Sequence, residues 1–429
     1  MIRCPNNHYL ALLLAALIAC GLFLDSAHGQ SPTGSVSLRQ AIGYALAQNP
    51  ELSVFPKDLR IAEARRLQAS LVPNPEISLF AEDFGGSGRF RGANAIQNTL
   101  QLSQVVELGG KRRARIRAAE AGRGVVNFDF EVKRLKVAAE TAQAFVDLLG
   151  AQERLALSRQ GLDLAERFVP DAEKRVEAGR SSPVETTRAR VAVAASQITV
   201  EKEEGQVALA RARLAAQWGS TQPQFSRAVG NLRNTPAVAS LSVLRSRVAA
   251  HPALARGEAE RTQREAHVAV ERRKAIPDIT LSGGGRQLNE TDDTAFVAGL
   301  SIPLPLWNRN QGSIKEAQLL ASRSVDEIRS VEVSLNTQLA IAYESLEDAK
   351  IEFTLLQSSV LPELQKAYEL TNEGYLSGRF SYLELSETRR ALAESRLQYL
   401  QALINYHKAA AAIDGLTGAS SKTTSDFSK

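Results

Sequence analysis

Beyond position 20 the 429-residue chain has no cysteine, since its only two are Cys4 and Cys20. A disulfide framework and a thiolate metal cage are therefore excluded for nearly its whole length. Aromatic residues make up 6% and there are only 15 prolines, too few for a mixed globular core rich in turns. Long stretches of Ala, Leu, Arg, Glu and Gln indicate long helices instead. After the N-terminal segment no run approaches 18 consecutive apolar residues, which excludes a bundle of membrane-spanning helices. Strands of a membrane barrel need only ~10 alternating residues, so that class stays open. The net charge of +5 is small, and basic and acidic residues are interleaved as on solvated helical faces, so no nucleic-acid partner is expected.

Chemistry-bearing clusters are equally scarce. His251, His267 and His407 lie far apart, so no metal site and no cofactor are expected. His251, beside Pro252, matches Asn49 beside Pro50 and reads as structural. Gly283-Gly284-Gly285 lacks the Lys-Ser/Thr of a phosphate loop and is placed at a hairpin turn. No catalytic constellation stands out, and an enzyme is not expected.

What is present begins with an export signal. Arg3 precedes the apolar run Leu10–Ala19, and Ala27-His28-Gly29 offers a small-x-small cleavage site, giving a signal peptide over 1–29. Leu17-Ile18-Ala19-Cys20 offers a competing site for lipid attachment to Cys20. Leu22-Phe23-Leu24 prolongs the apolar run past it and favours cleavage near Gly29.

The most informative feature is an internal repeat. LRQAIGYALAQNPEL (38–52) resembles LSVLRSRVAAHPAL (241–254). Pro50 corresponds to Pro252 and Pro75 to Pro277, both 202 positions on. LQLSQVVELGGKRRARIRAAEA (100–121) parallels LSIPLPLWNRNQGSIKEAQLL (300–320), and EAGRSSPVETTRAR (177–190) parallels LSGRFSYLELSETRR (376–390). The expected units span 38–219 and 241–418, followed by a disordered tail at 419–429.

Each unit reads alike. A short helix stops at Asn-Pro or His-Pro, and a second runs over about 51–72 or 253–276. Two strands follow, about 76–84 with 95–106 and 278–283 with 295–304. A long helix spans about 111–177 or 313–377, and after a Gly-Arg turn a return helix covers 183–218 or 382–416. At 1.5 Å per residue the long helix reaches roughly 100 Å, which a tube wall needs and a globular domain does not. Pro170 and Pro362 inside the long patterns predict a kink or a restart. Seven more residues separate proline from turn glycine in the second unit, one heptad.

The strands alternate. Ile96, Leu100 and Leu102 oppose Gln97, Thr99, Gln101 and Ser103; Ile279 and Leu281 alternate with Asp278, Thr280 and Ser282; Phe296, Ala298, Leu300 and Ile302 oppose Val297, Gly299 and Ser301. One apolar and one uncharged polar face fit a membrane barrel with a wet lumen. Four strands cannot close a pore of useful width, so identical copies must pool theirs.

These motifs resemble the TolC family of outer-membrane efflux proteins over essentially the whole mature chain, and most closely the CzcC-like branch serving cobalt, zinc and cadmium export. The resemblance implies a mainly α protomer, tandem-duplicated, whose homotrimer forms a 12-stranded β-barrel in outer-membrane lipid and a 12-helix tube across the periplasm. It implies a periplasmic adaptor and a proton-driven inner-membrane pump of the RND class as partners. Gly179 and Gly378 would form the adaptor-docking turns. Glu185 and Tyr375 match a tip latch of the family; its arginine is replaced by Phe380, leaving Arg180 or Arg379 to substitute. Glu384 and Glu387 match an acidic ring in the bore. Two other readings stay open: the same duct serving organic compounds or type I protein secretion, and a soluble periplasmic coiled-coil adaptor.

Overall fold

The computed structural model describes residues 32–418; the expected signal peptide at 1–29, including Cys20, and the expected disordered tail at 419–429 lie outside the described residues. The first repeat contains β1 (Gly34–Val36), α1 (Leu38–Gln48), α2 (Phe55–Ser70), β2 (Glu76–Glu82), β3 (Gln97–Val106), α3 (Lys111–Glu177) and α4 (Pro183–Ala216). After β4 (Phe225–Ala228) the second contains α5 (Leu241–Val248), α6 (Pro252–Lys274), β5 (Ile279–Leu288), β6 (Asp293–Ser301), α7 (Gln311–Leu355), α8 (Leu361–Leu376) and α9 (Tyr382–Thr417).

The 67 residues of α3 run without interruption through Pro170. The corresponding pattern in the second repeat is two helices. A π-turn at Leu356–Val360 ends α7, and α8 restarts with Pro362 in its first turn. The missing N–H of proline is harmless there, while the wider turn takes up the irregularity in the bonding ladder. The long helices start from left-handed caps, Gly110 at φ +70° and Asn310 at φ +59°. Asn310 is held in that conformation by its amide, which donates to the Glu271 carbonyl at 2.9 Å and to its carboxylate at 2.8 Å.

Packing is built from small residues. Phe145, Leu148 and Leu149 of α3 meet Leu403 and Ile404 of α9, Leu214 of α4, Trp218 just after it, and Phe225 of β4. Gly150 lets Ile404 in: a Cβ there would lie 2.3 Å from the isoleucine Cδ1. A second cluster joins Leu244 and Val248 of α5 to Leu339 and Leu346 of α7 and to Tyr406 and Ile413 of α9. Beside the first cluster, β1 and β4 pair in parallel. The sequence reading missed this pair, because three- and four-residue strands carry no detectable alternation.

The remaining strands form one antiparallel sheet in the order β2-β3-β5-β6. Its register puts Ile77, Leu102 and Ala298 on one face with Leu79, Leu100, Phe296, Leu281 and Leu300. The large apolar residues of this face are exposed, Phe296 completely. The opposite face carries Ser78, Gln101, Ser103 and Ser282, but it is not uncharged, since Glu76, Glu82, Arg286 and Asp293 share it.

Gly283–Gly285 lie inside β5 rather than at a turn; the β5–β6 connection is at 289–292. A glycine run reads as a turn from sequence, yet at 284 the reason is close approach. A Cβ would sit 2.1 Å from the Leu100 carbonyl oxygen and 2.9 Å from the Gln101 Cα, whereas at Gly285 it would meet nothing within 4 Å. Gly284→Ala should therefore destabilise the folded sheet by about 1–3 kcal/mol, lowering the thermal midpoint of its circular dichroism signal in detergent. Gly285→Ala should melt like wild type, and equal midpoints for the two variants would reject the close-approach account.

Candidate functional site

At the far end from the sheet, each repeat turns through the same backbone device. Gly179 and Gly378 sit at φ +65° and +80°, a left-handed conformation in which a side chain would be strained. The N–H of Arg180 bonds the Arg175 carbonyl at 2.9 Å, and that of Arg379 bonds the Gly374 carbonyl at 2.8 Å. These bonds close the last turns of α3 and α8. Ser182 and Ser381 then cap the return helices, so the chain reverses within a few residues.

The two turns meet over one buried ring. Tyr375 has no exposed surface and packs with Phe168, Ala172, Ala189, Tyr382 and Leu385. Phe168 and Tyr382 approach edge-on, at 6.3 and 6.2 Å between centroids. The Arg175 guanidinium lies over the Tyr375 ring at 4.3 Å and donates to the Tyr375 carbonyl. Burial, and then the nearby Glu185 carboxylate, push the Tyr375 hydroxyl pKa up; Arg175 opposes them. The phenol is therefore neutral at physiological pH.

Four buried polar atoms here have no hydrogen-bond partner among the described residues: the Tyr375 hydroxyl, one Glu185 carboxylate oxygen, Arg175 Nε and Ser181 Oγ. Buried polar groups rarely stay unpaired. The turns thus bring Glu185 and Tyr375 together. Arg180 and Arg379 are exposed, and Arg379 donates to its neighbour Ser377 at 3.0 Å. The arginine that reaches the ring is Arg175, which the sequence reading passed over. Its spacing from Phe168 and Ala172, seven and three residues, places it on the buried face of α3, a signal lost among the chain's many helical arginines.

Glu384 and Glu387 are both exposed, but their surroundings differ. The Glu384 carboxylate accepts from the Ser381 N–H at 2.8 Å and from its hydroxyl at 2.9 Å, completing a capping box at the start of α9. These bonds lower its pKa. Glu387, one turn on, has the exposed carboxylate that makes no such bond.

His251 and His407 are structural. His251 caps α6, its Nδ1 accepting from the Ala253 N–H at 3.1 Å, while its counterpart Asn49 accepts from the Glu51 N–H at 2.8 Å. His407 is buried with its Nε2 2.8 Å from the Leu232 carbonyl. Among the described residues no group of three His, Cys, Asp or Glu could hold a metal ion, and no helix is long and apolar enough to cross a membrane.

The cap makes the first turn of α9 acid-sensitive. With its folded-state pKa lowered, Glu384 contributes stability above the ordinary carboxylate range, and loses it as pH falls through the depressed value. Intrinsic-rate-corrected amide exchange at 382–386 should accelerate below about pH 4 in wild type. In Glu384→Gln it should be faster at neutral pH and lack that acid step; an identical step in both would show that another group is responsible.

Sequence and structure comparisons agree with this architecture. The profile described as "Outer membrane efflux protein" matches residues 41–220 and again 243–419. The cobalt-zinc-cadmium resistance protein CzcC of Cupriavidus metallidurans is 34% identical over 90% of this chain and 90% of its own length. The nickel-cobalt-cadmium resistance protein NccC of Alcaligenes xylosoxydans xylosoxydans is 30% identical over 67% of this chain and 64% of its own. A crystal structure of CusC superposes with a TM-score of 0.72, covering 91% of this chain and 95% of that one at 19% identity, a likeness of fold. The doubled profile match and the shared architecture make this chain a member of the outer membrane efflux protein family, a channel protein of the outer membrane.

Proposed function

We propose that this protein is the exit duct for divalent heavy-metal cations in a three-part efflux system, together with a periplasmic adaptor and an RND-class inner-membrane pump. The identity with a cobalt-zinc-cadmium resistance protein over nine-tenths of both chains carries the choice of cargo. A homotrimer is supported by what one copy leaves unfinished. The sheet has free edges at β2 and β6, which are mutually antiparallel, and head-to-tail pairing of three copies closes twelve strands with no edge exposed to lipid. Val184, Val191 and Ile198 of α4, seven residues apart, are exposed and offer a seam to a neighbouring helix.

The two Gly-Arg turns would then form the closed tip on which the adaptor docks. Glu185, Tyr375 and Arg175 would hold it shut by locking the two turns of each copy together around the buried ring. Glu387, repeated by threefold symmetry, would line the bore with carboxylates and favour cations, while Glu384 is occupied by its cap.

Deletion of the gene should lower tolerance to cobalt, zinc or cadmium in growth tests across those metals, nickel and copper. Unchanged metal tolerance with new sensitivity to dyes or detergents would transfer the cargo to organic compounds. In planar bilayers, Glu185→Ala, Tyr375→Phe and Arg175→Ala should each raise single-channel conductance severalfold. Conductance equal to wild type in all three would remove the cluster from the latch.

A further inference from the structure

The inner face of the sheet changes character along its length. On the helix side, the levels Glu76–Ser103–Ser282–Gly299 and Ser78–Gln101–Gly284–Val297 expose mostly small side chains. Gly284 has no room to be anything larger, since a Cβ would meet the Leu100 carbonyl oxygen at 2.1 Å, and at Gly299 a Cβ would have to displace the Ser282 hydroxyl, 2.6 Å away. One level further toward the strand turns, the row becomes Phe80–Thr99–Arg286–Ala295. Two large side chains now stand where glycine and serine stood. The outermost level, Glu82–Gln97–Leu288–Asp293, adds two carboxylates.

Arg286 is not a loose surface arginine. It lies across its neighbours, Nε donating to Thr99 Oγ1 at 2.9 Å, Nη1 to Gln97 Oε1 at 3.2 Å and Nη2 to Glu82 Oε2 at 3.3 Å. It thus spans from β5 over β3 to β2. Three different nitrogens held by three side chains pin the planar guanidinium in place. About a third of its side chain remains exposed, all on the face opposite the apolar one. A pinned charge in a lumen acts on the ions that pass it, because it cannot swing aside and low-dielectric walls focus its field.

We propose that Arg286, with Phe80 at its level, forms a guanidinium collar inside the outer end of the barrel, ion-paired on its outer side to Glu82 and lying behind the Asp293 carboxylate, and that the balance of these fixed charges discriminates small ions by charge. Threefold repetition would set three guanidinium groups around the lumen. The collar presupposes the closed barrel proposed above, so its test must separate the two. It is also distinct from the tip, which lies at the other end of the helices.

Because residues 21–429 contain no cysteine, single cysteines report position cleanly. Ser78→Cys lies just below the collar on the inner face, and Leu79→Cys on the apolar face. Both are made in the full chain and labelled from outside on intact cells, with cationic and anionic methanethiosulfonate reagents of similar size. Ser78→Cys should react with both and Leu79→Cys, shielded by lipid, with neither. Adding Arg286→Ser to Ser78→Cys should raise the cationic-to-anionic rate ratio about threefold or more. Glu82→Gln should lower that ratio, and Arg286→Lys should leave it within about twofold. Phe80→Ala should speed both reagents. If Ser78→Cys reacts, Leu79→Cys is protected, and neither the charge variants nor Phe80→Ala alter the rates, the collar is wrong and the barrel stands. Should Leu79→Cys react as fast as Ser78→Cys, the barrel fails and takes the collar with it. Glu82→Gln keeps the charge test decisive if Arg286→Ser does not fold.

Discussion

The ten-residue antiparallel ladder between β3 and β5, running from Gln97–Leu288 to Val106–Ile279, joins the strands of the two repeats. At its helix end a single carboxylate gathers the strands that cross there. Asp278 accepts the Leu108 N–H at 3.0 Å and pairs with Lys111 at 2.7 Å, largely out of solvent. Arg273 of α6 bonds the Gly109 carbonyl, and Ile276 fills the space over Gly109, where a Cβ would sit 2.4 Å from its Cδ1. The end of β3, the start of α3, the end of α6 and the start of β5 are clamped at one point. The glycine pair in ELGGK is thus the condition for turning a strand into a 67-residue helix beside another repeat.

From that clamp the helices run side by side, and their cohesion comes from fit rather than charge. Gly257 admits Ile328, Gly150 admits Ile404 and Gly415 lies against Ala139, each closer than a Cβ would permit. Alanines occupy much of the buried face of α3, including Ala138, Ala142, Ala151, Ala165 and Ala172. Small side chains bring helix axes together and let larger neighbours interdigitate. Ion pairs such as Arg167–Asp163 and Arg390–Glu394 stand mostly in water, where such pairs are worth about 0–1 kcal/mol. These keep the outer faces wet, whereas partly buried pairs such as Arg154–Glu203, between α3 and α4, add to the packing.

One protomer leaves its polar groups unsatisfied at both ends. At one end the strand edges of β2 and β6 are open beside an exposed apolar face. At the other, four buried polar atoms around Tyr375 lack partners among the described residues. In the proposed trimer the open strand edges pair with those of neighbouring copies, whereas the polar atoms around Tyr375 are enclosed within one chain and become reachable only if its two turns move apart. The aromatic packing of Phe168, Tyr375 and Tyr382 holds the two turns of one chain together and encloses those groups.

Much of this was legible in the sequence because it is periodic or punctuated. Matched prolines and Gly-Arg turns exposed the repeat, and the long helical patterns placed α3, α4 and α9 to within a few residues. Alternation identified three barrel strands with their apolar faces. It could not show that Gly283–Gly285 continue a strand, because only the approach of β3 explains why Gly284 must lack a side chain. Pairing β1 with β4, at positions almost 200 residues apart, left no local trace. Glu384 and Glu387 look equivalent on a helical wheel, and only the Ser381 cap separates them. Likewise Arg175 and Arg286 are single arginines among many; folding alone set one over a buried tyrosine and the other across three strands. Sequence by itself determined the duplication, the helix lengths and the alternation of the strands, since these depend on neighbours along the chain. Tertiary structure decided which charges are engaged, which glycines are obligatory and which strand edges stay open, because those depend on what the fold brings close.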